Sequence, residues 1–183
     1  MIAAILAGGA STRFGADKAL VIGPSVRDAL RSADCDPVVL VGGTAGPALG
    51  LITIPDRRPG EGPLAGLATA LLWAGPERVL VVPCDLPNLR SDDLATLLDA
   101  AAEPGIAPDV AIVATVDGRP HHSVGIWPGS AGRALWQSVE KGERALRHAL
   151  DVVSWRGVEL RPEAVVDADT RADLHRGSGA PPD

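Results

Sequence analysis

The stretch IAAILAGGASTRFGADK, residues 2–18, joins two kinds of sequence without a break. Residues 2–6 are apolar continuously and not alternately, the pattern of a strand buried on both faces of a parallel sheet. The run passes straight into a polar loop carrying Gly8, Gly9 and Gly15. Gly8 and Gly9 lack a Cβ, so the backbone there can turn sharply and bring N–H groups against phosphate oxygens or a base edge. Arg13 and Lys18 place positive charge on the same loop. Open parallel sheets bind ligands beyond the carboxyl ends of their strands, which makes this loop the first candidate site. It is neither a Walker loop, because Ala16 and Asp17 separate Gly15 from Lys18, nor a dinucleotide fingerprint, because Gly8 and Gly9 are adjacent. Taken alone, an ordinary β-to-α turn with solvated charges is the alternative reading.

Outward from this loop, short β-branched runs alternate with Ala/Leu-rich stretches, which predicts an α/β fold. Residues 38–41, 51–54 and 79–82 read as further buried parallel strands. Helices are expected over residues 25–33, over residues 64–73 (LAGLATALLW) with Pro63 in the first turn, and over residues 91–102. There Ser91 is the expected cap, and Asp92 and Asp93 suit the positive end of the helix dipole. The second half predicts strands at 110–116 and 123–127 around the turn DGRP, and helices around 131–139 and 143–150. A late strand near 164–166 and a short helix near 171–175 follow. One domain over residues 1–176 is expected, with residues 177–183, GSGAPPD, as a disordered tail.

Composition narrows the function classes. With 46% hydrophobic and 22% charged residues, the chain of 183 residues can bury its own core without disulfides or a structural metal. Cys35 and Cys84 form no framework or metal-ligand spacing. The start MIAAILAGGA has no basic region before its apolar run, so the expected location is a reducing cytoplasm. No apolar run approaches the ~20 residues of a membrane helix. The net charge of -6, with fifteen arginines and two lysines scattered along the chain, argues against a nucleic-acid partner. Four Trp, one Phe and no Tyr are too few for a base-stacking platform.

Two more loops follow predicted strands. PDRRPGEGPLAGL, residues 55–67, is a rigid Gly/Pro-rich loop running into a helix start. It suits an anion or a purine edge, or it is a tight connection in which Gly62 and Pro63 only delimit elements. VVPCDLP, residues 81–87, projects Asp85 from the end of a buried strand, where a carboxylate is costly unless it meets a cation or hydrogen-bond donors. Mg²⁺ held by one or two carboxylates together with phosphates meets that need, and a turn or cap aspartate is the alternative. Cys84 reads as a small buried residue and not a nucleophile, since no His neighbours it in sequence. His121 and His122, in GRPHHSVGI, read as solvated turn histidines.

Together these segments resemble the molybdenum cofactor guanylyltransferases, the MobA-like nucleotidyltransferases. LAGGASTRFGADK matches the family's LAGG-x-S-x-R-x-G-x-DK at every fixed position. Asp56 with GPLAG at residues 62–66, CDLP at residues 84–87 and DADTRADL at residues 167–174 follow in the family's order. The resemblance implies a Rossmann-like three-layer α/β/α nucleotidyltransferase with a mostly parallel sheet. It implies transfer of GMP from GTP to the phosphate of molybdopterin with release of pyrophosphate. Carried over residue by residue, Leu6, Ala7, Gly8 and Gly9 form the nucleotide loop, Lys18 meets the phosphates, Asp56 helps hold the guanosine, and Asp85 is the Mg²⁺ ligand. The implied partners are GTP and molybdopterin and, beyond them, molybdenum insertion proteins and molybdoenzyme chaperones.

The chemistry agrees with the residue types. A phosphate monoester, already ionised near pH 7, attacks the α-phosphorus in line, so neither a protein nucleophile nor a general base is required. Neutralisation and alignment are the task, for which Mg²⁺ on Asp85, Lys18, Arg13 and loop N–H groups are suited. Three departures from the family pattern keep other readings open. The crossover ALVIGPSVRDAL, residues 19–30, is short. His122 stands where relatives often have Pro. Asp169 and Arg171 stand where relatives have Asn and Pro, and Asp169 resembles the cytidylyltransferase relatives, where it would be a second metal ligand; a negatively charged cap of the last helix explains it as well. The alternatives are therefore a cytidylyltransferase or sugar-phosphate nucleotidyltransferase on the same fold, or a nucleotide-binding relative without turnover. KGERALRHAL, residues 141–150, resembles the family's late Gly-Glu-Arg helix start and brings Arg144 or Arg147 towards the pterin's phosphate, unless these are plain surface arginines.

Overall fold

A computed structural model describes residues 1–8, 17–170 and 173–176. Gly9, Arg13, Arg171 and the tail at residues 177–183 lie outside the described residues. Seven strands are described: β1 (Ile2–Leu6), β2 (Val38–Val41), β3 (Ile52–Ile54), β4 (Val79–Pro83), β5 (Ala111–Val116), β6 (Arg119–Trp127) and β7 (Trp155–Glu159). They form one sheet in the order β3-β2-β1-β4-β6-β5-β7. The β1–β2, β2–β3, β1–β4 and β5–β7 pairs are parallel, and β6 runs antiparallel to both β4 and β5. The helices are α1 (Lys18–Val21), α2 (Gly23–Ser32), α3 (Gly46–Leu49), α4 (Pro63–Ala74), α5 (Ser91–Ala102), α6 (Gly132–Glu140), α7 (Ala149–Val152) and α8 (Asp173–Arg176).

The continuous apolar strands are the central ones because both faces of the sheet are covered. Ala3, Ile5, Leu40, Leu80 and Val82 pack on the face that carries Val26 and Leu30 of α2 and Leu94 and Leu97 of α5. Ala4, Leu6, Val39, Val41 and Val81, each one residue out of phase, pack against Leu64, Leu67 and Leu71 of α4 and Leu135 of α6. This is the expected three-layer architecture. Strand order reverses at β1: β2 and β3 extend to one side, and β4 lies on the other. The carboxyl ends of β1 and β4 therefore open on a crevice at the topological switch point.

Four local expectations are corrected. The seventh strand is Trp155–Glu159, and the expected strand near 164–166 is instead a 3₁₀ turn, Pro162–Val165. At the sheet edge, β7 alternates exposed and half-buried residues, so it lacks the continuous apolar signal of the inner strands. The expected helix over 143–150 is a loop followed by a 3₁₀ turn, Leu146–His148, and the short α7. Gly142 has φ +98, and the Arg144 carbonyl accepts from Leu64 N–H at 3.2 Å, a bond made across the fold in place of a helical one. β6 begins at Arg119, because Asp117 (φ 51) and Gly118 (φ 71) make the turn by themselves. His121 and His122 are thus strand residues. Finally, Asp93 and not Ser91 closes the first turn of α5, accepting from Arg90 N–H at 2.9 Å.

Asp93 is buried, at 4% exposure, and its two oxygens also receive Arg161 Nε at 2.9 Å and Nη2 at 2.7 Å. Arg161 donates further to the Asn88 carbonyl at 3.1 Å, and Ala168 N–H donates to the Asp85 carbonyl at 2.9 Å. These bonds fasten the segment carrying Asp167 and Asp169 to the loop after β4. Asp93→Ala removes a helix cap and a charge pair together, and we expect it to cost about 2–3 kcal/mol in urea unfolding. Asp93→Asn, which retains a cap acceptor, should cost less.

Candidate active site

The crevice is walled by the three loops that follow β1, β3 and β4. Beyond β1, Ala7 N–H still bonds to the Val41 carbonyl at 2.9 Å, and Cys84 N–H bonds to the Leu6 carbonyl at 3.1 Å. The sheet ladder thus holds the roots of the first and fourth loops side by side. Leu6, Ala7, Gly8, Lys18, Asp56 and Asp85, all anticipated from sequence, line one cleft. The positions of Gly9 and Arg13 fall outside the described residues.

At its centre Lys18 Nζ lies 2.8 Å from Asp169 Oδ1 and 3.6 Å from Asp85 Oδ2. Lys18 starts α1, whose first turn Asp17 caps by accepting Ala19 N–H at 3.0 Å. Burial works against the lysine charge, but the Asp169 hydrogen bond and the fields of Asp85 and Asp169 outweigh it, so its pKa stands above the ordinary lysine value. For Asp85 burial dominates: it pushes the carboxyl pKa up, the Lys18 field opposes this, and Asp167 reinforces it. Two acidic side chains therefore converge on one cation at the end of a buried strand. Cys84 lines the same cleft, yet burial and the fields of Asp85 and Asp17 push its thiol up to about 12. As expected from sequence, it has no thiolate character at neutral pH.

The third loop supplies Asp56, whose Oδ1 accepts from Arg58 N–H at 3.0 Å and Thr69 Oγ1 at 3.4 Å. A Cβ on Gly8 would stand 3.6 Å from Asp56 Oδ2, an ordinary contact distance, so the Gly8 backbone and the Asp56 carboxylate face each other across the cleft. Beside them Gly42 (φ +74) and Gly43 (φ +64), after β2, complete a pocket with Pro55, Pro59 and Gly60. Sequence reading missed these two glycines. The signal was present: VGG at residues 41–43 repeats the strand-to-GG pattern at the end of β1.

GPLAG has a structural duty as well as a place in the cleft. Gly62 has φ +91, and a Cβ there would come within 2.9 Å of the Arg144 carbonyl. Arg144 itself is committed: Nη2 pairs with Glu61 at 2.9 Å, and Nη1 donates to the Val139 and Glu143 carbonyls at 2.9 Å each. It staples residues 139–146 to the loop after β3. Arg57, 5.8 Å from the centroid of Trp136, makes a second link from this loop, to α6.

A mostly parallel three-layer sheet, with glycine-lined loops and a lysine–carboxylate centre at its switch point, defines a nucleotidyltransferase of the α/β class. The MobA-like NTP transferase domain matches residues 3–156, and the chain belongs to this family. A probable molybdenum cofactor guanylyltransferase of Deinococcus radiodurans is 47% identical over 112 residues, 58% of each chain. The molybdenum cofactor guanylyltransferase of Acidiphilium cryptum is 36% identical over 188 residues, covering 94% of this chain and 91% of the relative. The solved structure of molybdopterin-guanine dinucleotide biosynthesis protein A from Archaeoglobus fulgidus shares the fold, with a TM-score of 0.73, 21% identity and 96% of each chain covered. Among the described residues no helix is long and apolar enough to cross a membrane.

Proposed function

We propose that this protein transfers GMP from GTP to the phosphate of molybdopterin, giving the guanine dinucleotide cofactor and pyrophosphate, in a Mg²⁺-dependent reaction. The observation that carries this reading is the meeting of Lys18, Asp85 and Asp169 at the switch point, next to the glycine-lined pocket that contains Asp56. Membership of the family and the names of its relatives support the substrates.

An oxygen of the acceptor phosphate forms the new bond to the α-phosphorus as the bond to the β-phosphate oxygen breaks, and pyrophosphate departs with the electron pair. Gly8 and Gly9 let loop N–H groups approach the nucleotide, and Asp56 orients the guanosine. Lys18, and Arg13 from the same loop, neutralise charge on the triphosphate. The donor set fits Mg²⁺: a hard carboxylate, Asp85, is only 25% exposed and has its charge disfavoured by burial, and a second, Asp169, faces the same cation. Such an ion would be held by one or two carboxylates together with substrate phosphates. When bound, such an ion supplies charge stabilisation to the phosphoryl oxygens.

The deciding experiment incubates the protein with each nucleoside triphosphate, Mg²⁺ and molybdopterin and detects pyrophosphate and the dinucleotide product. Calorimetry with Mg²⁺ is expected to show GTP bound more tightly than CTP or ATP. A second reading, cytidylyl transfer, draws on Asp169, which lies on the Lys18 ammonium; tighter CTP binding would favour it and overturn the guanylyl assignment.

A further inference from the structure

Helix α4 carries one hydroxyl among its apolar residues, that of Thr69, a side chain only 2% exposed. A hydroxyl buried there is costly unless it finds a partner. Serine and threonine in mid-helix ordinarily return the hydroxyl to a carbonyl of their own helix one turn back. Thr96 does so on the Asp92 carbonyl at 2.9 Å, and Ser138 on the Ala134 carbonyl at 3.3 Å. Thr69 turns its hydroxyl off the helix instead, to the loop after β3. Its Oγ1 lies 3.3 Å from the Arg57 backbone nitrogen and 3.4 Å from Asp56 Oδ1.

The direction of these two bonds is fixed by what each group can do. A backbone N–H only donates, so Oγ1 accepts from Arg57, and the single hydroxyl proton is left for the Asp56 carboxylate. Asp56 Oδ1 also accepts from Arg58 N–H at 3.0 Å. One oxygen is thus held from behind by two donors, while Oδ2 faces Gly8 across the cleft and has no hydrogen bond or ion pair among the described residues. A carboxylate tethered by one donor can still turn about its Cβ–Cγ bond. Two donors on the same oxygen, one from the loop backbone and one from α4, decide which oxygen faces out.

We propose that Thr69 is a positioning residue: its buried hydroxyl holds the Asp56 carboxylate with Oδ2 turned into the cleft, where that oxygen accepts N–H or O–H donors of the bound nucleoside. This rests on the nucleotidyl-transfer reading above, which puts the nucleoside beside Asp56. Thr69 itself is not among the residues lining the central cleft or the glycine-lined pocket, so it acts through Asp56 alone. Threonine suits the duty because β-branching confines its χ1 in a helix, and the hydroxyl gives up little freedom on bonding.

A double-mutant cycle on the full chain, read by calorimetry with GTP and Mg²⁺, tests the assignment. Thr69→Val exchanges the hydroxyl for a methyl group of similar size and should weaken GTP binding about fivefold or more, as expected for a lost hydrogen bond to a charged group. Thr69→Ser keeps the hydroxyl and should stay within about twofold of the parent. In an Asp56→Ala background Thr69→Val should have no further effect on GTP affinity, because the carboxylate it positions is gone. A merely structural threonine would instead lower the urea midpoint and take the same toll on GTP in either background. Parental GTP affinity in Thr69→Val, no rescue by Thr69→Ser, or an undiminished loss in the Asp56→Ala background would overturn Thr69 as a positioning residue and leave the nucleotidyl-transfer reading standing. A parent protein that binds no nucleoside triphosphate would overturn that reading itself, and the role of Thr69 with it.

Discussion

Asp85→Asn is expected to lower turnover by roughly 10³-fold while leaving the fold intact. The substitution keeps the shape and hydrogen-bonding capacity of the side chain and removes the charge that would hold Mg²⁺. The stability side of the prediction has a definite sign. Burial raises the Asp85 carboxyl pKa against the opposing field of Lys18, so the folded state disfavours its charge relative to the unfolded chain. Stability from this group is present at acid pH and is lost as pH rises from the ordinary carboxylate pKa through the raised folded value. At neutral pH the amide should therefore be tolerated at least as well as the carboxylate, with a urea midpoint equal to or above that of the parent. Lys18 would still keep its 2.8 Å partner, Asp169. Loss of turnover without loss of stability is what a functional carboxylate predicts. Parental turnover at saturating Mg²⁺ would make Asp85 a structural residue and move the metal elsewhere.

The second large effect belongs to Lys18→Ala, which should lower kcat by about 10²-fold or more and weaken GTP binding less. Negative charge accumulates on the pentavalent phosphorus and the departing pyrophosphate, so compensation by the ammonium matters most in the transition state. Lys18 is held between two carboxylates, and its charge is favoured by both. An ammonium so placed is already positioned before substrate arrives, at the cost of partial neutralisation by its neighbours. Lys18→Arg should rescue only in part, because a planar fork directed at Asp169 cannot replace a compact point charge. Steady-state kinetics separates the cases. Equal losses in GTP affinity and kcat/KM with kcat unchanged would assign Lys18 to uniform binding and pass the transition-state role to Arg13.

Much of this architecture is legible along the chain because burial on both faces leaves a local mark. β1, β2 and β4 are uninterrupted apolar runs, and the loops after β1 and β4 carry Gly8, Lys18 and Asp85 within reading distance of them. Pro63 at the first turn of α4 and the Asp-Gly turn between β5 and β6 are likewise local chemistry. What the sequence by itself determined, then, is the α/β class, the order of the inner elements and the three loops that meet at the switch point.

Only the tertiary structure decided what depends on residues far apart. Lys18 and Asp169 stand 151 positions apart in sequence and 2.8 Å apart in space, because Arg161 on Asp93 and Ala168 on the Asp85 carbonyl draw the last segment over the fourth loop. Arg144 is paired with Glu61, and Arg147 and His122 line one pocket, through the packing of residues 139–146 against the start of α4. β7 forms a strand at the sheet edge although its exposed and half-buried residues alternate, because β5 offers it a backbone ladder. In each case the decisive partner is a carbonyl, an N–H group or a charge from a distant element. Backbone groups are the same at every position, so no local pattern of side chains announces which of them will meet.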